Sequence, residues 1–175
     1  MLPPAGSKPE PKLSASEQAA LPVSDISLSS SAITRQGQSS LYTIASEYTC
    51  HGADRSLPLH WSGVPANTRE LALFAISTRP VGGKLYFDWA LAGISPTLTG
   101  IQAGQQPPGA VAGQNSSGKT TYSICPPAGQ HESYVFLLYA LPSTLHPKPG
   151  FDPATLRAQA KHIARHTGLL VGTNG

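Results

Sequence analysis

The sequence predicts a mainly β, antiparallel domain with one short helix near its C-terminus. Three observations carry this. Glycine and proline supply 17 residues each to a chain of 175, which favours a turn-rich fold. Charged residues are only 12% of the chain, about half the usual share. Apolar runs of strand length recur between Gly/Pro segments, and a single helical pattern follows them late in the chain. Many strands, then one helix, then a last strand argue for an antiparallel sheet with a small helical addition.

Residues 1–22 lack periodicity and are rich in proline, alanine and serine, so they read as a disordered or loosely attached tail to a domain spanning 23–175. Ile26–Ile33 alternates apolar and small polar residues as a half-buried strand does, and Ser40–Tyr48 follows the same pattern. Leu57–Trp61 is a short strand between turns. Glu70–Ile76, Lys84–Ile94 and Tyr134–Leu141 are continuous apolar runs that suit central, buried strands. The segments between them, Thr78–Gly83, Gly104–Lys119 and Cys125–Gln130, are loops, and the second is long enough to suggest a functional or mobile segment. The helix is signalled by Asp152 as N-cap, Pro153 in the first turn and Gly168 as terminator. Leu156, Ala160, Ile163 and Thr167 share one face of it, and Arg157, Lys161 and Arg165 form a solvated basic face. Leu169–Thr173 is the closing strand.

Composition excludes several classes. The formal charge is +3 and the pI about 9.0, with no cluster of Lys and Arg interleaved with aromatics, so a nucleic-acid partner is not expected. No stretch reaches the roughly 18 apolar residues of a transmembrane helix. The N-terminus has no apolar core of a signal peptide, but its spacer-like composition suits a periplasmic or secreted protein whose signal is not in this chain; a cytoplasmic location is the alternative.

Tests for chemistry are mostly negative. Cys50 and His51 are adjacent and face opposite ways on an extended chain, and Cys125 with His131 lacks a metal-ligand spacing, so no metal and no cofactor is expected. A cysteine nucleophile would need His51 or His131 as base, with nothing local to fix either. Gly113 to Thr120 matches the phosphate-loop pattern formally, but prolines and Cys125 follow where a helix should run, so the match is read as chance. Cys50 and Cys125 each sit in a loop beside a strand. They are either bridged, closing a loop of about 75 residues worth ~4 kcal/mol in an oxidising compartment, or two half-buried thiols.

The run Tyr48–Pro65, "YTCHGADRSLPLHWSGVP", resembles the signature of the phosphatidylethanolamine-binding protein family, in its bacterial, Raf-kinase-inhibitor-like branch. His51 stands where that signature has Asp, and Leu57 where it has Pro. "ELALFAI", "DWALAGI", "CPPAGQHESYVFLLYAL" and "LLVGT" continue the likeness in order, over about residues 25–173. The resemblance implies an antiparallel β-sandwich with a small surface pocket for phosphate-like anions, including phospholipid head groups, built from a D-P-D-A-P segment, a His before a Trp, and an H-R-Y segment. This chain departs from all three. It has Ile76–Pro80, "ISTRP", at the first; Asp88 before Trp89 at the second; and "HESY" at the third, where His131 or Glu132 occupies the histidine's place and Tyr134 is retained.

The expected site is therefore Ser77, Thr78, Arg79, Asp88, His131, Glu132 and Tyr134, on a scaffold that includes Asp54, Trp61 and Trp89. Three functions follow from these residues. A binding protein would hold a small anionic or polar ligand in an altered pocket. A diverged member that has lost the anion site would act on a protein partner as an inhibitor or secreted effector. A hydrolase would pair Asp88 with His131 and needs the two within hydrogen-bond reach.

Overall fold

A computed structural model of the chain describes residues 23–35 and 42–174. The strands are β1 (Val23–Ser29), β2 (Ile33–Arg35), β3 (Tyr42–Ile44), β4 (Leu59–Ser62), β5 (Glu70–Val81), β6 (Lys84–Ile94), β7 (Gly100–Ile101), β8 (Val111–Ala112), β9 (Ser133–Leu141) and β10 (His166–Asn174); one helix, α1 (Pro153–Ile163), precedes β10. Among the described residues the strands form one sheet in the order β7-β4-β1-β10-β9-β5-β6-β8, with β3 paired alongside the last residues of β10 and β2 paired to β3. The proposed tail, residues 1–22, and Ser40 and Leu41 of the second predicted strand lie outside the described residues.

The three apolar runs form the long central strands, and they are buried on both faces because alternate residues feed two cores. Leu71, Leu73 and Ala75 of β5 join Phe136 and Leu138 of β9 in one cluster with Leu28 of β1 and Leu59 and Trp61 of β4. The β1–β4 part of the sheet thus curls over the inner face of the long strands, as in a sandwich. Ala72, Phe74 and Ile76 of β5 lie on the opposite face with Tyr139 and Leu141 of β9, under Leu156 and Ala160 of α1. The antiparallel expectation holds for β5, β6 and β9, whereas β10 runs parallel to β1 and to β3.

Helix α1 begins as expected: Asp152 caps it by accepting from the Thr155 amide, and Pro153 opens the first turn. Its end needs correction. It stops at Ile163 rather than at Gly168, because Ala164 is already extended (φ −64, ψ 141) and His166 pairs with Ala140 of β9. Thr167 and Gly168 belong to β10. Gly168 serves there in a different way than as a helix stop: a Cβ would lie 3.0 Å from the Ile26 carbonyl oxygen of β1, a tight contact that glycine avoids. Arg165 lies beyond the helix, and its guanidinium donates to the carbonyls of Ile163 and Ala164.

The phosphate-loop match is a turn built around Asn115. That buried side chain accepts from the amides of Ser117 and Lys119 through Oδ1 and donates to the Thr121 carbonyl. The loop's amides already have acceptors: those of Asn115, Ser117, Gly118 and Lys119 within the loop, and those of Gly113, Gln114 and Ser116 on the carbonyls of Ala90, Phe151 and Phe87; no helix follows directly.

Candidate functional site

The opening motif forms a wall. A single 3-10 turn, Ser46–Tyr48, leads into Thr49–Asp54, which folds back so tightly at Gly52 that a Cβ there would lie 2.5 Å from the Ser46 carbonyl oxygen. Asp54 adopts a left-handed conformation (φ 51), one that Asp tolerates better than most residues. Its carboxylate accepts from Ser123 Oγ at 2.9 Å and from the Ile124 amide at 3.2 Å. The Cys50 amide donates to the Ile124 carbonyl, His51 Nε2 bonds the Pro126 carbonyl at 2.8 Å, and Tyr122 donates its hydroxyl to the Tyr48 carbonyl. The Cys50–Cys125 disulfide closes the same seam. Segment 122–126, which has no regular secondary structure, is thereby fastened beside the sheet by hydrogen bonds and the disulfide.

Between that seam and the far ends of β5 and β6 lies a half-open cavity of about 450 Å³, lined by Ser77, Arg79, Pro80, Val81 and Gly82 from β5 and its turn, Tyr86 and Asp88 from β6, Cys125 and Pro127, and Glu132 just before β9. Its floor depends on a β-bulge. Ala75 pairs with Trp89, but Ile76 pairs with Phe87, so Asp88 is an extra residue in the β5–β6 ladder. A bulge re-aims a side chain locally, and here it leaves both Asp88 and Trp89 buried. Asp88 is 2% exposed, and its Oδ2 has no hydrogen-bond partner. Burial raises the Asp88 pKa to about 8, the Glu132 charge adds to the rise, the Ser77 amide donates to the carboxyl and opposes it, and Asp54 contributes a small further rise.

Glu132 is positioned by three strands. Its amide donates to Asn174 Oδ1 at the end of β10; its Oε2 accepts from the Tyr134 hydroxyl at 3.0 Å and, at a long 3.5 Å, from Ser77 Oγ; its Oε1 faces Arg79 Nη1 at 3.4 Å. Arg79 also donates to Gln130 Oε1. The Tyr134 phenol is held far above its ordinary pKa by burial and by its bond to Glu132, and the Tyr86 phenol is raised by burial and by Asp88. Both stay hydrogen-bond donors across the physiological range.

Of the residues predicted for the site, Ser77, Arg79, Asp88 and Glu132 line the cavity, and Tyr134 reaches it through Glu132. Two are placed elsewhere. Thr78 faces away, its hydroxyl donating to the Ser133 carbonyl, because side chains alternate along β5. His131 is exposed, its Nδ1 bonded to the Asn174 carbonyl, in a separate depression with His51, Pro127 and Gln130. Glu132, one residue later, occupies the cavity instead, and no hydrogen bond joins His131 to Asp88, the contact the hydrolase reading requires. Asp54 is scaffold, through segment 123–124. Trp61 is buried on β4, donating to the Leu98 carbonyl, and Trp89 stacks edge-on against Tyr122 at 5.3 Å beneath the seam. The sequence reading missed Tyr86, which shares a strand face with Asp88 two residues on, and Asn174, whose role no local pattern signals.

Comparison with known proteins agrees with the resemblance. The family model for phosphatidylethanolamine-binding protein matches residues 30–174. A UPF0098 protein of Methanothermobacter thermautotrophicus is 37% identical over 134 residues, covering 73% of this chain and 87% of its own. The crystal structure of a phosphatidylethanolamine-binding protein homolog from Chlamydia trachomatis superposes with a TM-score of 0.75 at 27% identity, covering 86% of this chain and 97% of that one. YbcL of Escherichia coli shares the fold, with a TM-score of 0.75 at 22% identity over 86% of this chain and 98% of its own.

Proposed function

The chain belongs to the phosphatidylethanolamine-binding protein family, and from that premise we propose that it is a non-catalytic binding protein whose cavity takes one small polar ligand of the size of a phospholipid head group. The observation that carries this reading is convergence. Ser77, Arg79, Tyr86, Asp88 and Glu132, from three separate parts of the chain, direct polar groups into one half-open cavity of about 450 Å³. Concave sites with a few convergent polar groups are where small ligands bind. Arg79 at the rim, more than half exposed, is placed to meet an acidic part of the ligand. The Cys50–Cys125 disulfide favours an oxidising compartment, periplasmic or extracellular.

The test is an NMR titration of the ¹⁵N-labelled protein with phosphoethanolamine, phosphoserine and inorganic phosphate. Saturable shifts confined to the amides of Ser77, Tyr86, Cys125 and Glu132, weakened in Arg79→Ala, support the reading. Shifts that are absent for every ligand, or that scatter over the surface, overturn it.

A further inference from the structure

We propose that the floor of this cavity is a cation site, and that the group it receives is the primary ammonium of a small amine-bearing ligand, held between Asp88 Oδ2 and the carboxylate of Glu132. This rests on the binding reading above and names the ligand chemistry for it. Two observations carry it independently. The cavity's deep end is acidic: the bulge sends Asp88 into it, and Glu132 enters from the β9 side. Asp88 is 2% exposed, and its Oδ2 is left without any partner, whereas Glu70, the other buried carboxylate among the described residues, has a donor on each oxygen. A buried, unpaired carboxyl oxygen is costly unless something completes it. A group with three N–H donors and a positive charge completes it and offsets the repulsion between the two acids.

The groups facing Asp88 come from every packed element. Glu132 and Tyr134 belong to the β9 side, Tyr86 to β6, and Asp54 and Tyr122 to the seam; each of these is an acid or a phenol. The nearby cation, Arg79, is engaged at the rim by Gln130 and Glu132. In the ligand-free protein Asp88 therefore keeps its proton at neutral pH. Binding an ammonium drives that proton to solvent, leaves a carboxylate, and so makes affinity rise with pH. A ligand that offers only an acceptor, such as phosphate alone, has the opposite linkage, because it needs the neutral acid as donor.

The experiment uses ethylamine hydrochloride as the probe, followed through the Ser77 amide, which donates to Asp88. An alkylammonium remains protonated up to about pH 10, so pH acts on the protein alone. The expected result is an affinity that rises by up to about tenfold per pH unit from pH 6 and levels off above about 8. Asp88→Asn, which keeps shape and removes the charge, should weaken binding more than tenfold and abolish the pH dependence. Glu132→Gln should weaken binding and move the midpoint of the pH profile downward, because it removes the charge that raises Asp88. Affinity that falls through pH 8, or that ignores both substitutions, overturns the proposal. Ethylamine silent while phosphate or phosphoserine shifts the cavity amides overturns it and leaves the binding reading intact. Silence from all of them overturns both.

Discussion

Glu70 and Asp88 are both 2% exposed; Glu70 stands at one end of the β5–β6 pair, whereas Asp88 lies mid-strand, in the wall of the cavity that extends to the turn at the other end. Glu70 opens β5, and its two oxygens accept from the backbone amides of Gly93 and Leu145, so it ties a bulge in β6 to the chain after β9. Asp88 has one oxygen with nothing to accept from, beside a second acid. The same residue chemistry, buried equally, is completed by the fold at one end and left for a ligand to complete at the other. Buried acids need partners, so a carboxyl the fold does not satisfy is the better pointer to function, and the satisfied one is a pointer to architecture.

The two ends also differ in how they are fastened, and the largest effect tests that. The cavity end is stapled by Cys50–Cys125 across 75 residues, while the Glu70 end relies on hydrogen bonds. Replacing both cysteines by serine should lower the unfolding free energy by ~4 kcal/mol in urea denaturation, and the amide shifts should change at Ser77, Tyr86 and Ile124. Equal disturbance at Gly93 and Leu145 would break the distinction between the ends.

Next comes the structural acid itself. Glu70→Ala leaves two buried amides, those of Gly93 and Leu145, without acceptors. The expected loss is about 3 kcal/mol, since each unsatisfied buried group costs about 1–3 kcal/mol. Asp88→Asn should cost little or nothing by the same denaturation assay. If the two substitutions proved equally harmful, Asp88 would be a structural acid too.

A pH series sharpens the contrast further. Asp88 has a folded pKa of about 8 against 3.8 for the unfolded chain. Between those values the native state holds one more proton than the unfolded state, so its contribution to stability falls as pH rises, and it levels off above about 8. The difference in unfolding free energy between wild type and Asp88→Asn should drift against wild type by about 1 kcal/mol per unit from pH 6 to 8. A flat difference would mean that Asp88 is ionised in the fold.

Much of this contrast was legible in the sequence, and the part that was not has a physical cause. Glu70–Ile76, Lys84–Ile94 and Tyr134–Leu141 announced themselves as buried strands because both faces of the central sheet are covered, and Cys50 with Cys125 flanked the seam that the disulfide closes. Asp88 was visible as a departure at the position before Trp89. Its orientation was not, since a bulge is an extra residue in a ladder and shows only once Ile76 is seen opposite Phe87. His131 and Glu132 are adjacent in "HESY", and the choice between them is made by Asn174, forty-two residues away, which fixes the Glu132 amide. Gly168 suited a helix stop as well as a strand, and the neighbour that decides, Ile26, lies on β1.

The smallest expected effect concerns Arg79, and it separates holding the fold from holding a ligand. Its guanidinium lies 3.4 Å from Glu132 Oε1, with its own side chain 55% exposed and that of Glu132 11% exposed. An ion pair with one partner in solvent is screened and contributes at most about 1 kcal/mol, commonly less. Arg79→Gln should therefore change the urea midpoint by an amount equivalent to about 0.5 kcal/mol or less, and that change should shrink further in added salt. Binding should respond differently. The substitution removes the positive charge at the rim while leaving Asp88 Oδ2 and Glu132 on the floor, so a ligand carrying both an ammonium and an acidic group should lose affinity and a simple amine should gain or keep it. A stability loss above 2 kcal/mol would instead make Arg79 part of the frame, and the cavity end would then be completed by its own side chains, as the Glu70 end is.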